Sequence, residues 1–507
     1  MDMCTQTPEI VVLLRGRSRQ TGTPAPGNTN HHPRGMMSLS SARRSPAAWA
    51  ALVTFVLILP VTARGDASRA YSFGLSQVAH EIDTGMFFGT HHWPKTDQDK
   101  MLFLPRLRRY GLRLIRQELY LEKLIPESVC PDTKTFWKRI EDPAFIDSWK
   151  WSEDNWLAEA KQEGFRTVAV FFRMPQFVTA NGTLPRKGDE DAWKAWGAVC
   201  AEAYKRLGEN IDYLEIFNEA QFFTKADNTG YRRTVEADPD IFHYAQASLR
   251  PLTRKSIAGP TTWIDCWAGS ALETVPFDRR SKRDTLDYFT IHVYDAPARD
   301  FLDRIDHTRA VLDGTAPNLP MDYKAPWKGK PIWVTEWNQY WEVKKRQGAD
   351  WYGFILTEFL ARGIPNVIFN YSEQFDTKRA SENTPWLLLV QCGLNSAAQT
   401  VRIHPRTDRG GVQTTGNLIV ATLPDRSIVV VATNLTDDPL PATWRLDGVE
   451  GLNAKLTRLQ IWDAIAGNEY LTLAGEERTP ALTVHPDRCD IAYTLPPHSV
   501  SALKIVR

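Results

Sequence analysis

RTVAVFF, residues 166–172, and DYLEIF, residues 212–217, are two short apolar runs separated by a stretch with a different period. Between them Ala192, Trp193, Trp196, Val199, Cys200, Ala203, Tyr204 and Leu207 recur every three or four positions, the spacing of one helical face. Strand, amphipathic helix, strand is the unit that sets consecutive strands parallel, and the apolar stripe of the helix then packs on the sheet. The same alternation extends from about residue 85 to 372. The remaining runs are MFFGTH (86–91), LRLIRQ (112–117), KSIAGP (255–260), DYFTIH (287–292), PIWVTE (331–336) and NVIFNY (366–371). Eight parallel strands close a barrel, and its packing helices lie outside. Ser152 to Gly164, with Ser at its start and Gly at its end, is expected to be the helix before RTVAVFF.

Beyond about residue 375 the texture changes. NLIVAT, SIVVVAT, LQIWD, DIAYTL and VSALKI are β-rich runs separated by Gly, Pro, Asp and Asn, the spacing of an antiparallel sandwich. The expected organisation is a leader over 1–67, a (β/α)8 TIM barrel over 70–375 and a C-terminal antiparallel β-sandwich over 376–507. Ala70 to Asp83, ahead of the first barrel run, is available to add a strand to the sandwich. No internal repeat other than the βα period is present.

The 507 residues are 43% apolar and 24% charged, ordinary for a chain that buries a sizeable core. Lys and Arg total 61 against 60 Asp and Glu, so no net field draws nucleic acid or an anionic membrane, and a neutral substrate fits better. The eighteen tryptophans stand out; their faces fill cores by default and stack on sugars where they stand beside strand ends. Six cysteines at 4, 130, 200, 266, 392 and 489 have no metal-ligand spacing. Asn181 and Asn434 open Asn-x-Thr sequons.

Arg43 and Arg44 precede an apolar run, Ala47 to Leu59, too short to span a bilayer and suited to a signal sequence. Val61 and Ala63 fit a cleavage site, and Met36 or Met37 as the start gives a leader of ordinary length. The expectation is export to the periplasm or outside the cell, with no stable membrane insertion after cleavage; a longer signal, an uncleaved anchor and twin-arginine export remain open. Removing the leader takes Cys4 and leaves five cysteines, an odd number that allows at most two bridges.

In a parallel barrel the working face forms where strands end. His91 ends the first run, Arg116 lies near the end of the second, Asn218 and Glu219 follow the fourth, His292 and Tyr294 the sixth, and Glu336 closes the seventh. The fourth and seventh strands face each other across a closed eight-stranded barrel, so Glu219 and Glu336 are a candidate pair. Paired carboxylates suit glycoside hydrolysis: the departing oxygen needs a proton, and the positive charge growing at the anomeric carbon needs an anion. His91 is expected to hydrogen-bond rather than to ligate a metal with His92, because adjacent strand residues point to opposite faces. Asp97, Glu118, Glu342 and Glu373 stay unranked between solvated loop acids and specificity contacts.

YLEIFNEA (213–220) resembles the W-E-x-W-N-E-P strand of clan A glycoside hydrolases, and PIWVTEW (331–337) is similar to the strand that carries their nucleophile, notably in families 39 and 51. LPPHSVSALKI resembles the closing strand of such enzymes. The resemblance implies a retaining hydrolase of O-glycosyl bonds that uses no cofactor or metal and acts on an oligo- or polysaccharide. It makes Glu219 the general acid/base, Glu336 the nucleophile, and Asn218 a ligand of the sugar 2-hydroxyl. Arg116 then orients the nucleophile, His292 and Tyr294 lie beside it, and Glu215 is a deeper, paired structural acid. Two departures loosen the family: Ala220 stands where Pro is usual, and NYSEQF lacks the tryptophan that often forms a sugar platform after the eighth strand. Trp337, with Trp263 and Trp341, is the expected replacement. Two other classes remain, a carbohydrate-binding barrel without turnover and a metal-dependent barrel hydrolase.

Overall fold

The computed structural model describes residues 69–91, 96–151, 156–219, 228–231, 237–259, 262–263, 287–294, 298–317, 319, 325, 327–338, 348–369, 383–395, 399–405, 418–449, 457–469, 471–473 and 481–506. The expected leader, Cys4, Cys266, His92, Ala220, Trp341, Glu342 and Glu373 lie outside these residues.

Two strands, β1 (Arg69–Gly74) and β2 (His80–Asp83), precede the barrel. The barrel strands are β3 (Phe88–His91), β4 (Leu114–Tyr120), β5 (Arg166–Phe172), β6 (Tyr213–Ile216), β7 (Ile257–Ala258), β8 (Thr262–Trp263), β9 (Phe289–Tyr294), β10 (Ile332–Asn338) and β11 (Val367–Phe369). All neighbours are parallel, in the order β7-β6-β5-β4-β3-β11-β10-β9-β8. The nine pieces make eight staves, because the fifth comes in two pieces: β7, inside KSIAGP, pairs with β6, β8, just beyond it, pairs with β9, and a parallel bridge from Ala258 to Tyr288 draws the two edges together.

The helix Glu190–Leu207 buries the stripe read from the sequence. Asp189 caps it by accepting from the Ala192 N–H at 3.1 Å, acids fill its first turn and Lys205 and Arg206 its last, all favourable to the helix dipole. The helix before β5 is shorter, Leu157–Gln162, and Gly164 takes the positive φ of 80° that ends it. No helix among the described residues is long and apolar enough to cross a membrane.

The barrel interior is filled in layers. A small apolar cluster of Leu114, Val168, Ala258, Tyr288, Trp333 and Ile368 closes the end at which the strands begin. Tyr288 stacks on Trp333 with ring centroids 4.1 Å apart. One inward position further along β4 stands Arg116, and Glu118 follows at the next, since inward side chains recur every second residue.

After the barrel come β12 (Thr400–His404), β13 (Leu418–Thr422), β14 (Ile428–Asn434), β15 (Leu440–Asp447), β16 (Arg458–Ile465), β17 (Thr472–Leu473), β18 (Ala481–Val484), β19 (Arg488–Leu495) and β20 (Ser499–Val506). They form a four-stranded sheet, β1-β15-β19-β18, and a seven-stranded sheet, β17-β16-β20-β14-β13-β12-β2. Both early strands therefore join the sandwich, one to each sheet. The expected antiparallel pattern holds throughout except at β1, which runs parallel to β15 because it enters from ahead of the barrel. Phe73, Val430, Trp444, Ile491 and Leu503 fill the space between the sheets. Every residue of β14 is buried: Ile428 and Val430 face this core while Val429 and Val431 join the larger core that includes the barrel. Against that second face pack the helices Ala349–Ala361 and Thr384–Cys392. A Cβ at Gly353 would lie 1.9 Å from Cγ2 of Val500, so only glycine allows this approach.

Cys130, Cys200, Cys392 and Cys489 are buried thiols. Burial pushes the Cys130 thiol up to about 11 and that of Cys392 up to about 12, which leaves them inert at neutral pH. The Asn434 sequon is buried, its amide donating to the carbonyls of Asp438 and Pro496 at 2.8 and 2.9 Å, so the folded chain offers no acceptor there.

Candidate active site

Strand ends from five places in the chain converge at one mouth of the barrel. Arg116 sits at their centre with no exposed surface, and its three nitrogens reach residues of β6, of the turn after it and of β10. Nε donates to Glu215 Oε2 at 2.9 Å, Nη1 to Glu336 Oε1 at 2.7 Å, and Nη2 to Asn218 Oδ1 at 2.8 Å. Burial works to lower the affinity of this guanidinium for its proton, but Glu215, then Glu336 and Glu118, more than offset it and hold the group above its usual value. Glu215 is likewise fully buried, the deep paired acid expected from its position.

Glu336, on β10, is only 6% exposed. Both of its oxygens act as acceptors: Oε1 from Arg116, and Oε2 from the Tyr294 hydroxyl at 2.5 Å. Two donors, one of them a cation, thus fix the position of this carboxyl group. His91 Nδ1 lies 3.5 Å and His292 Nε2 3.6 Å from the same Oε1, beyond good hydrogen-bond length but close enough to feel its charge.

Glu219 reaches the mouth by a backbone device. Adjacent residues of a strand point to opposite faces, which would separate Asn218 from Glu219. Phe217 and Glu219 instead adopt positive φ angles of 71° and 44°, so the chain kinks on leaving β6 and both side chains serve the site. Each such residue costs about 1–3 kcal/mol and persists only where surroundings over-determine it. Here the Phe217 N–H donates to Phe171 O at 2.9 Å and its ring is buried against Phe172 and Trp196. Glu219 Oε1 then lies 2.5 Å from His292 Nδ1. Burial pushes the His292 imidazole down to about 3, partly opposed by Glu336 and reinforced by Arg116, so the ring is neutral near neutrality.

Oxygens of Glu219 and Glu336 lie within 4.8 Å of each other, with a His292 nitrogen inside the same group. A second group, His91, Glu118 and Glu336, is equally close. Either trio offers ligand types that suit a divalent metal, but both use Glu336, whose oxygens are already engaged by the Arg116 cation and by Tyr294.

Glu118 is one of the four acids the sequence left unranked. LRLIRQ ended the second strand at 117, whereas β4 continues to Tyr120 and aims Glu118 and Tyr120 inward after Arg116. Its Oε1 accepts from Asn218 Nδ2 at 2.8 Å and its Oε2 from the Tyr120 hydroxyl at 2.7 Å. The alternation R-Q-E-L-Y was the signal, hidden because polar residues on the inward side break an apolar run.

Trp337 is a correction. It was expected as a sugar contact but is fully buried, packed edge-on against Tyr352, Phe359 and Phe369 and stacked near Trp386. Glu336 faces into the barrel, so its neighbour on the strand must face the helix layer. The Trp263 side chain lies outside the described residues, as does the segment after β11. A cavity of about 360 Å³ lined by Tyr120, Glu122, Lys123, Lys150 and Trp151 borders the acid cluster through Tyr120, whose hydroxyl donates to Glu118.

No protein-family profile matches the chain, and no curated protein resembles it in sequence. Solved structures do resemble it in fold. A glucosidase from Croceicoccus marinus is 12% identical with a TM-score of 0.56, over 87% of this chain and 99% of that one. The GH39 enzyme from Xanthomonas axonopodis pv. citri is 12% identical with a TM-score of 0.56, over 88% and 99%. The catalytic domain of GH30 xylanase C from Talaromyces cellulolyticus is 11% identical with a TM-score of 0.54, over 87% and 100%. The chain thus has the barrel-and-sandwich fold of clan A-like glycoside hydrolases.

Proposed function

We propose that the protein is a retaining glycoside hydrolase that cleaves O-glycosidic bonds of an oligo- or polysaccharide by double displacement, with Glu336 as nucleophile and Glu219 as general acid/base. The observation that carries this reading is that one oxygen of each carboxyl group lies within 4.8 Å of the other, in unlike environments. Direct attack and a covalent glycosyl-enzyme need carboxyl groups about 5–5.5 Å apart, whereas inversion needs about 6.5–9.5 Å to admit water.

The environments divide the labour. Glu336 accepts on both oxygens and is aimed by Arg116, which suits the nucleophile. The neutral His292 ring selects the state of Glu219. With its Nε2–H turned toward the Glu336 carboxylate, Nδ1 presents a lone pair that accepts the proton of a neutral Glu219 carboxyl group. That proton passes to the leaving oxygen as Glu336 attacks the anomeric carbon. Once the glycosyl-enzyme has formed, the Glu336 charge is consumed, and Glu219, now a carboxylate, deprotonates the incoming water. Asn218, fixed between Arg116 and Glu118, meets the 2-hydroxyl. Export through the apolar leader is part of the same reading, since a polysaccharide substrate lies outside the cell.

The test is a screen of aryl glycosides and of plant, algal and animal polysaccharides with the parent, Glu219→Ala and Glu336→Ala. Glu336→Ala is expected to lose more than about 10⁴-fold. Glu219→Ala is expected to lose about 10²–10⁴-fold on glycosides whose leaving group needs a proton and far less on activated ones. Undiminished turnover in either variant removes its assigned role.

A further inference from the structure

We propose that Glu118 is a substrate-contacting residue that makes the site select uncharged sugars and reject uronic acids; this rests on the glycosidase reading above. Three observations carry it. First, β4 aims Glu118 inward at the barrel mouth, and one of its oxygens lies within 4.8 Å of ligand atoms of His91 and Glu336. Second, both oxygens are anchored by donors, Asn218 Nδ2 and the Tyr120 hydroxyl, which fixes a half-buried carboxylate in place. Third, Glu118 forms no ion pair among the described residues. The nearby guanidinium of Arg116 is committed to Glu215, Asn218 and Glu336.

The charge count follows. Among the described residues Glu118, Glu215 and Glu336 stand against one guanidinium, and with the imidazole of His292 neutral the carboxylates outnumber the cations there. Each Glu118 oxygen accepts one bond from the protein and keeps room for another, and Asn218 Nδ2 has a second N–H. Side by side they read two neighbouring hydroxyls, one donating to the carboxylate and one accepting from the amide. A sugar carboxylate in the same ring meets the Glu118 charge beside a guanidinium already committed to Glu215, Asn218 and Glu336, and is repelled. At about 5 Å and the effective dielectric of a protein site, one like charge weakens binding by about 200- to 300-fold.

The experiment compares the parent with Glu118→Gln and the charge-keeping Glu118→Asp. Its turnover arm uses 4-nitrophenyl glycosides of glucose, galactose and xylose and of glucuronic and galacturonic acid, both anomers. A second arm needs no turnover: tryptophan fluorescence titration with a glucose-configured piperidine iminosugar and with its 5-carboxylate counterpart. The parent is expected to favour the uncharged member in whichever arm responds. In Glu118→Gln, kcat/KM for the uncharged sugar falls about 10- to 100-fold, mainly through KM, and the neutral-to-uronate ratio collapses at least tenfold; Glu118→Asp keeps the ratio. A parent that prefers uronates, or an unchanged ratio in Glu118→Gln, overturns the proposal and leaves hydrolysis standing. Selective iminosugar binding that collapses in Glu118→Gln, with no hydrolysis of any glycoside by the parent, upholds Glu118 and sinks the hydrolase reading. A parent that neither hydrolyses nor binds any of them overturns both.

Discussion

Arg116 is the most exacting place to perturb the molecule, because one fully buried cation answers two buried carboxylates and an amide. Arg116→Met removes the charge at similar bulk and leaves Glu215 with no exposed surface and Glu336 with almost none. Breaking a buried pair from one side costs about 3–5 kcal/mol, a large part of the roughly 5–15 kcal/mol that holds a domain folded. Replacing both partners by apolar groups is far milder, since no uncompensated charge is left at that depth. The double variant Arg116→Met with Glu215→Met should therefore recover about 2–3 kcal/mol of the loss, Glu336 keeping its Tyr294 donor at the mouth. Guanidinium denaturation of the purified protein, followed by tryptophan fluorescence, measures both. A single variant within about 1 kcal/mol of the parent, or a double variant less stable than the single, refutes the claim that this cation is held by charge rather than by packing.

His498 joins Asp437 to Asp350, and those hydrogen bonds hold its imidazole above the usual value. A raised folded-state value means the contribution is complete below about 6.5 and fades as pH rises through the raised value, so the Tm gap between parent and His498→Asn should narrow from pH 5.5 to 8.5; a gap that widens contradicts the assignment. Gly353→Ala should cost about 1–3 kcal/mol by driving its Cβ into Val500, and Val500→Ala in the same chain should restore part of it, checked by thermal unfolding. Dialysis against a chelator should leave hydrolysis unchanged; a loss restored by a divalent ion would assign a metal to one of the two His and Glu trios at the mouth. With His292 pushed down to about 3, its titration should contribute no limb to the pH profile of kcat/KM above pH 4.5, and His292→Gln should keep the acid limb in place.

The barrel was legible because parallel strands buried on both faces read as short continuous apolar runs, and RTVAVFF coincides with β5 residue for residue. Glu336 closes such a run and Glu219 follows one, which is why both could be placed at the strand ends. Glu118 was not, since β4 changes character halfway: Leu114 belongs to the apolar floor, while Arg116, Glu118 and Tyr120 are the polar wall of the site. KSIAGP located the fifth stave through β7, but its second piece, β8, lies beyond that run, where two residues leave no period to detect. Nor does composition announce that Phe217 and Glu219 turn left-handed, as neither is a residue that favours positive φ. Trp337 misled for a simpler reason: nearness in sequence to Glu336 is, in a strand, separation to the opposite face.

The account stands on Glu336 as the atom that bonds to sugar. Once the screen identifies a glycoside the protein turns over, incubation with its 2-deoxy-2-fluoro fluoride, peptic digestion and mass spectrometry locate the trapped sugar. The prediction is a single adduct on the peptide that contains Glu336, absent in Glu336→Ala. An adduct on any other residue, or hydrolysis with inverted configuration and no adduct at all, contradicts it.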